Sequence, residues 1–325
     1  GGQAVLEGIM MKNKEKYAVA VRKPDGEIEI ELDNYQGILS DLRIKELPFV
    51  RGVFNFIDSM VLGMKCLNYS ASFYEEEETD TKKEADTTSS AEKMEAASGE
   101  KKSGGGRQEK LMTMLVTCFA VVMAVGIFIV LPYFLASLLD GVILNQSLKA
   151  VVEGLLRIVI FLLYVWGISA MKDIKRLYSY HGAEHKCINC IEGGKPLTIQ
   201  NVMGSSRLHR RCGTSFIFFV LIVSIILFMF IRVPNPVARV AVRILLMPVV
   251  AGISYEIIRL AGRSDNVIVR AVSAPGMAVQ RMTTKEPDES MAEVAIAAVE
   301  AVFDWKQYLR ENFGEEEQAQ KEREC

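Results

Sequence analysis

The chain has 325 residues, half of them hydrophobic and 24% charged, with a formal net charge of −2. A balance so close to neutral gives no reason to expect a nucleic-acid partner, and the length allows one or two domains. The apolar residues come in long runs with the charges collected between them, a pattern that points away from a soluble globule and toward an α-helical polytopic membrane protein.

Residues 1–73 form the first region. Gly1 to Met11 is glycine-rich and then apolar from Ala4 to Met11; as residues alone it fits a flexible terminus, although so apolar a run favours docking on something. Tyr17–Val21, rich in β-branched and aromatic residues, and Glu27–Leu32, which alternates polar and apolar residues, flank Pro24-Asp25-Gly26. Proline presets φ there and glycine accepts positive φ, so the spacing predicts a β-hairpin belonging to a small cytoplasmic α+β domain. From Pro48 to Phe73, Val50, Val53, Phe54, Ile57, Val61, Met64 and Leu67 recur at helical spacing, interrupted by Arg51, Asn55, Asp58 and Lys65. This predicts a buried or interfacial helix rather than a spanning one, because a charge near the bilayer centre is costly.

Residues 74–110 are rich in Glu, Lys, Ser, Thr and Gly and predict a disordered linker. Residues 111–171 hold two candidate spans. The uncharged run Leu111–Leu139 carries Pro132 as a kink site near one end, and Leu148–Met171 carries Glu153 and Arg157 at i,i+4 spacing. Residues 172–213 form a polar loop. Residues 214–261 hold two more spans, Thr214–Ile231 and Pro236–Ala261; in the second, Arg239 and Arg243 sit near one end and are expected to snorkel. Residues 262–325 predict a Pro-Gly turn at Ser273–Met277, an amphipathic helix from Glu286 carrying Met291, Val294, Ala295, Ala298, Val299, Val302 and Phe303 on one face, and a solvated tail.

Loop charge sets the expected orientation. Asp140 to Ser147 contains no Lys or Arg, whereas Lys172 to Gly213 contains eight. The positive-inside rule then places this loop and both termini in the cytoplasm. Six cysteines in a chain this long do not form a disulfide framework, and a reducing compartment is expected for the three in the loop.

All three histidines lie in that loop: His181, His185 and His209. His181 and His185 are i,i+4, which on a helix puts both imidazoles on one face, where they can share a divalent ion. Glu184 precedes the second histidine, an arrangement like the inverted zinc-peptidase pattern in which the glutamate is a general base. His209 and Cys212 both offer a third ligand. A rival grouping, Cys187-x-x-Cys190 with His209-x-x-Cys212, suits a closed structural zinc site, and spacing does not choose between them. Arg207, Arg210 and Arg211 serve as a topology signal or as contacts to phosphate headgroups.

Gly1-Gly2-Gln3-Ala4-Val5 with Glu7-Gly8 and Met10-Met11, Val21 through Gly26, His181 through Lys186, Arg211 through Ser215, Ser254-Tyr255-Glu256 and Thr284 through Asp288 together resemble the YqhQ-like family of uncharacterised bacterial membrane proteins, described as predicted metal-dependent enzymes. The resemblance covers all but the linker and tail. It implies His181, Glu184, His185, His209 and Cys212 as the functional set, does not call for Cys187 or Cys190, and departs from the family at Arg210, where proline is usual. It also implies that the glycine-rich start folds over the loop through Gln3 or Glu7.

The expectation is therefore a multi-pass membrane protein with a divalent ion, zinc by preference, at His181, His185 and His209 or Cys212. Glu184 would be the base for hydrolysis at the membrane surface. The alternative is a non-catalytic scaffold docking on another membrane complex such as a translocon or protease. A transporter ranks last, since the spans show few paired charges.

Overall fold

The computed structural model describes residues 1–37, 47–84, 107–139, 141–142, 145–231, 233, 235–262 and 266–324. Four strands open it: β1 (Gly2–Val5), β2 (Gly8–Asn13), β3 (Lys16–Arg22) and β4 (Ile28–Asn34), paired in that order as an antiparallel meander. The expected hairpin is its second half, with Ala18 opposite Leu32 and Val21 opposite Glu29. Gly26 takes φ 89° in the connecting turn, as the turn chemistry requires. A hairpin alone is too little, however. The first residues are not loose but supply two further strands. Residues Gly8–Met11 of β2 are buried throughout, so this strand lacks the alternation that marks a half-buried one.

The sheet is the middle of three layers. On one face Ile9, Met11 and Ala20 pack with Tyr180, Ala183, Cys187 and Ile191 of α5 (Lys172–Glu192) and with Met291, Val294, Ala295 and Ala298 of α10 (Glu289–Val302). On the other face Val5, Met10, Tyr17, Val19 and Val21 pack with Leu62 and Cys66 of α1 (Val50–Glu84). The amphipathic face of α10 thus finds its partner inside the chain. The helix begins at Glu289, three residues later than expected, with Pro287 outside it and the Asp288 carboxylate capping it by accepting from the Met291 N–H at 2.9 Å.

Among the described residues four helical segments are long and apolar enough to cross a membrane: Met114–Ser137, Ser147–Ile168, Gly213–Phe230 and Val237–Ala261. The first is α2 (Arg107–Val125) continued through a π-helical turn (Gly126–Val130) into α3 (Leu131–Ser137). The π-turn ends just before Pro132, which has no N–H for the ordinary ladder. The others are α4 (Gln146–Ile168), α7 (Gly213–Phe230) and α8 (Pro236–Ala261), with the single-turn α6 (Ile199–Met203) before α7.

Several expectations are corrected. Arg243 does not snorkel. It is 7% exposed, and its Nη2 donates to Glu153 Oε2 at 2.8 Å, with Nη1 on the other oxygen. Arg157 joins the same carboxylate at 3.1 Å. The apolar helices therefore do hold paired charges, contrary to the ground on which transport was ranked last. The Pro-Gly turn at 273–277 is instead the interior of α9 (Val267–Thr283), with Pro275 within the helix. Helix α1 runs past Phe73 to Glu84, glutamate and lysine being good helix formers, and the tail is helical as α11 (Trp305–Glu324). Residues 85–106, most of the expected linker, lie outside the described residues.

Candidate metal centre

Helix α5 presents two stripes. Tyr180, Ala183, Cys187 and Ile191 face the core, and His181, Glu184, His185, Ile188 and Glu192 line a cavity of about 790 Å³. The i,i+4 reading of the histidines is realised, with ring centroids 4.4 Å apart. Cys212 enters from the N-cap of α7, where its sulfur accepts from the Thr214 N–H at 3.4 Å. The ligand atoms of His181, His185 and Cys212 all lie within 4.8 Å of one another.

The backbone orients both imidazoles. His181 Nδ1 lies 2.9 Å from the Thr283 carbonyl and His185 Nδ1 lies 2.7 Å from that of Arg207. A carbonyl only accepts, so each Nδ1 carries a proton and each Nε2 is turned toward the cluster, as metal-binding histidines are commonly arranged. The His181 carbonyl contact needs a close approach: a Cβ on Gly182 would sit 2.0 Å from the Lys285 oxygen. Glycine in His-Gly-Ala-Glu-His is what lets the 283–287 segment lie against α5.

Burial by itself would raise the Cys212 thiol, but hydrogen bonds from His181 and His185, with their charge, outweigh it and bring the thiol down to about 5. Burial would lower His181; its hydrogen bond to Cys212, at 3.3 Å, turns the balance and raises it to about 9. The pair is thus set up as imidazolium and thiolate, and the thiolate is the form that binds metals. Two imidazole nitrogens and a thiolate around one point, lining a cavity, fit a zinc-like ion with one position left open.

The other expected residues separate. His209 lies 5.7 Å from the His185 ring but outside the three-residue cluster; its Nε2 is 3.2 Å from Glu192 Oε2 and its backbone is held on both sides by the Gln280 amide. Burial would raise Glu192, but His209 and Arg211 hold it below the usual carboxylate range. Cys187 and Cys190 are fully buried in the apolar core, and burial pushes both thiols up, so the closed Cys-x-x-Cys grouping does not form. The five described cysteines are all free. Gln3 lines the cavity, whereas Glu7 turns away to pair with Arg176 and Tyr180, tying the β1–β2 turn to α5. Glu184, 4% exposed, accepts from the Gly2 N–H at 3.1 Å. Sequence reasoning missed Gly2, Glu192, Gln280, Arg176 and the two carbonyls. Only the Gly1-Gly2 pair carried a signal, that of close backbone approach.

Residues 47–305 match the family described as "Protein of unknown function (DUF1385)". The chain is also 33% identical over 298 residues, 91% of its length and 89% of the other's, to "Uncharacterized protein YqhQ" of Bacillus subtilis (strain 168). No solved structure matches it.

Proposed function

This chain belongs to the DUF1385 family. From the geometry of its site we propose that it is an integral membrane protein with a hydrolase-like, metal-dependent site at the membrane surface. The observation that carries the reading is the convergence of His181, His185 and Cys212 to within 4.8 Å beside Glu184 on a cavity wall. These three residues would hold a divalent ion, zinc by preference. When bound, such an ion supplies a Lewis acid that makes a water molecule acidic near neutral pH. Glu184, in the same wall, accepts the proton of the attacking water and passes it to the leaving group. The Gly2 N–H holds that carboxylate in place, and Thr283 and Arg207 hold the imidazoles through their carbonyls. The four apolar helices support insertion in a bilayer. The eight Lys and Arg of residues 172–213, against none between Asp140 and Ser147, support the cytoplasmic side of a bacterial inner membrane for the site and both termini.

The test is elemental analysis of the detergent-purified protein beside His181→Ala/His185→Ala. Near-stoichiometric metal in the parent and none in the folded double variant is expected; equal content in both would overturn the reading. A second reading, a non-catalytic scaffold docking on another membrane complex, draws on Glu184, whose bond to Gly2 pins the sheet to α5. Glu184→Gln separates the two. An enzyme loses function while keeping metal and fold, and a scaffold tolerates the change.

A further inference from the structure

Helix α1 carries an unexplained surface. Phe56, Ile57, Met60, Val61, Met64 and Leu67 are all exposed. At 3.6 residues per turn they fall within a single arc of about 140°. The opposite arc is spoken for, with Leu62 and Cys66 in the core beneath the sheet. Leu47 and Phe49, just before the helix, are exposed as well, at 52% each.

The position of this surface is fixed by what the helix and the residues just before it touch. A Cβ on Gly252 of α8 would meet the Phe49 carbonyl oxygen at 2.4 Å. Gly252 lies nine residues before Ala261, the last residue of α8, and the next residue, Gly262, lies against Arg211 of the cavity wall; Gly252 is thus roughly 13 Å along the helix from that end at 1.5 Å per residue. The Phe56 ring lies 5.3 Å from that of Phe216, in the first turn of α7. Further along, Leu62 reaches the sheet. Helix α1 therefore climbs obliquely, from well inside the level of α8 to the base of the cytoplasmic layers.

Three residues at its lower end bond to polar side chains of α8. Glu256 accepts from the Phe49 N–H at 3.2 Å and pairs with the Arg51 guanidinium, and Asn55 donates to the Tyr255 hydroxyl at 2.7 Å. Charges and backbone donors can enter hydrocarbon only when satisfied in this way. The exposed arc is continuous with the outer surfaces of the neighbouring helices, where Val249 and Ile217 are also exposed.

We propose that the N-terminal end of α1 is a fifth membrane-embedded element, a half-inserted helix whose outer arc, from Leu47 to Met60, lies in the acyl layer of the cavity-side leaflet. Ser59 and Leu62, on its other side, line the metal cavity, so the cavity sits at headgroup level. The proposal rests on reading α7 and α8 as spans.

Tryptophan scanning tests it. Trp166 and Trp305 are replaced by Phe, a single Trp is introduced by Phe49→Trp, Phe56→Trp, Met60→Trp or Leu245→Trp, and the full chain is reconstituted in vesicles of phosphatidylcholine brominated in mid-chain. Leu245, 76% exposed on α8, reports on the span. F49W and F56W are expected to lose a share of emission comparable with L245W, M60W a smaller one, and a version keeping only Trp305 the least. Strong quenching of L245W with F49W and F56W no more quenched than Trp305 would overturn the proposal alone, and would mean that water or another protein covers α1. Absence of quenching at L245W would overturn the span reading, and the proposal with it.

Discussion

Two groups of buried polar side chains, one lining the cavity and one inside the apolar helices, are finished in opposite ways. Glu153, Arg157 and Arg243 are 3%, 7% and 7% exposed and close on one another. Both guanidinium groups bond the same carboxylate, Arg157 also reaches the Ser224 hydroxyl at 3.4 Å, and Arg243 lies over the Phe228 ring. His181, His185 and Cys212 are pinned from behind by backbone carbonyls and a helix N-terminus, with their ligand atoms converging beside a cavity. Burying polar groups is costly in both places. The first group offsets much of the cost by tying α4, α7 and α8 together, with Arg157 Nε left without a partner, and in the second the proposed ion would offset it.

That contrast can be broken at either end. The largest effect is expected inside the helices. Glu153→Gln leaves two guanidinium groups without their counter-charge, and removing one partner of a buried ion pair costs about 3–5 kcal/mol. Thermal unfolding in detergent should show a large fall in Tm while metal content in the folded fraction stays unchanged. A Tm near that of the parent would mean that the network is hydrated rather than sealed.

At the cavity the sign of the experiment reverses. Cys212→Ser should lower metal affinity by at least about a hundredfold, more than is usual for loss of a supporting contact, with little change in Tm. Cys187→Ser should do the opposite, since it puts a hydroxyl into the apolar core and leaves metal content alone. Competitive titration with a chelator reads the first and unfolding reads the second. Equal metal loss in both variants would revive the Cys187–Cys190 grouping.

Gly182→Ala tests the support rather than the ligands. The methyl must push the Lys285 carbonyl back from 2.0 Å, an overpacking expected to cost about 1–3 kcal/mol. Because Thr283 moves with that segment, metal content should fall as well. Destabilisation without metal loss would show that the Thr283 carbonyl is dispensable.

The smallest effect is expected at the sheet surface, where Asp33 accepts from Lys65 Nζ at 2.9 Å and from the Tyr17 hydroxyl at 3.1 Å. These bonds, the lysine's foremost, lower its pKa to about 2. A depressed carboxylate stabilises the fold above its unfolded pKa of about 3.9. The contribution is lost as the pH falls through about 2. Asp33→Asn should therefore be slightly less stable than the parent at neutral pH and converge with it in strong acid. A difference that persists at low pH would assign the effect to Tyr17 packing rather than to charge.

Much of this architecture was legible from residues alone. The four apolar helices follow from long, mostly apolar runs of side chains, and the face shared by His181 and His185 follows from helical periodicity. The β3–β4 hairpin follows from the Pro24-Asp25-Gly26 turn and the alternation of Glu27–Leu32 after it. Strands β1 and β2 were less visible because their turns place Glu7 and Lys14 at positive φ, with no Gly or Pro there to signal a reversal. The Pro-Gly signal at Pro275-Gly276 misled because tertiary packing of α9 against α7 overrode a local turn preference.

Local pattern therefore determined which segments are apolar helices and which side chains share a face, since both depend on neighbours a few residues away. The tertiary structure decided which groups meet: Cys212 rather than His209 beside His181 and His185, Glu153 rather than solvent for Arg243, and the Gly2 N–H on Glu184. Those pairings join residues 31, 90 and 182 positions apart. At such separations the geometry is set by how whole layers pack, which spacing along the chain does not encode.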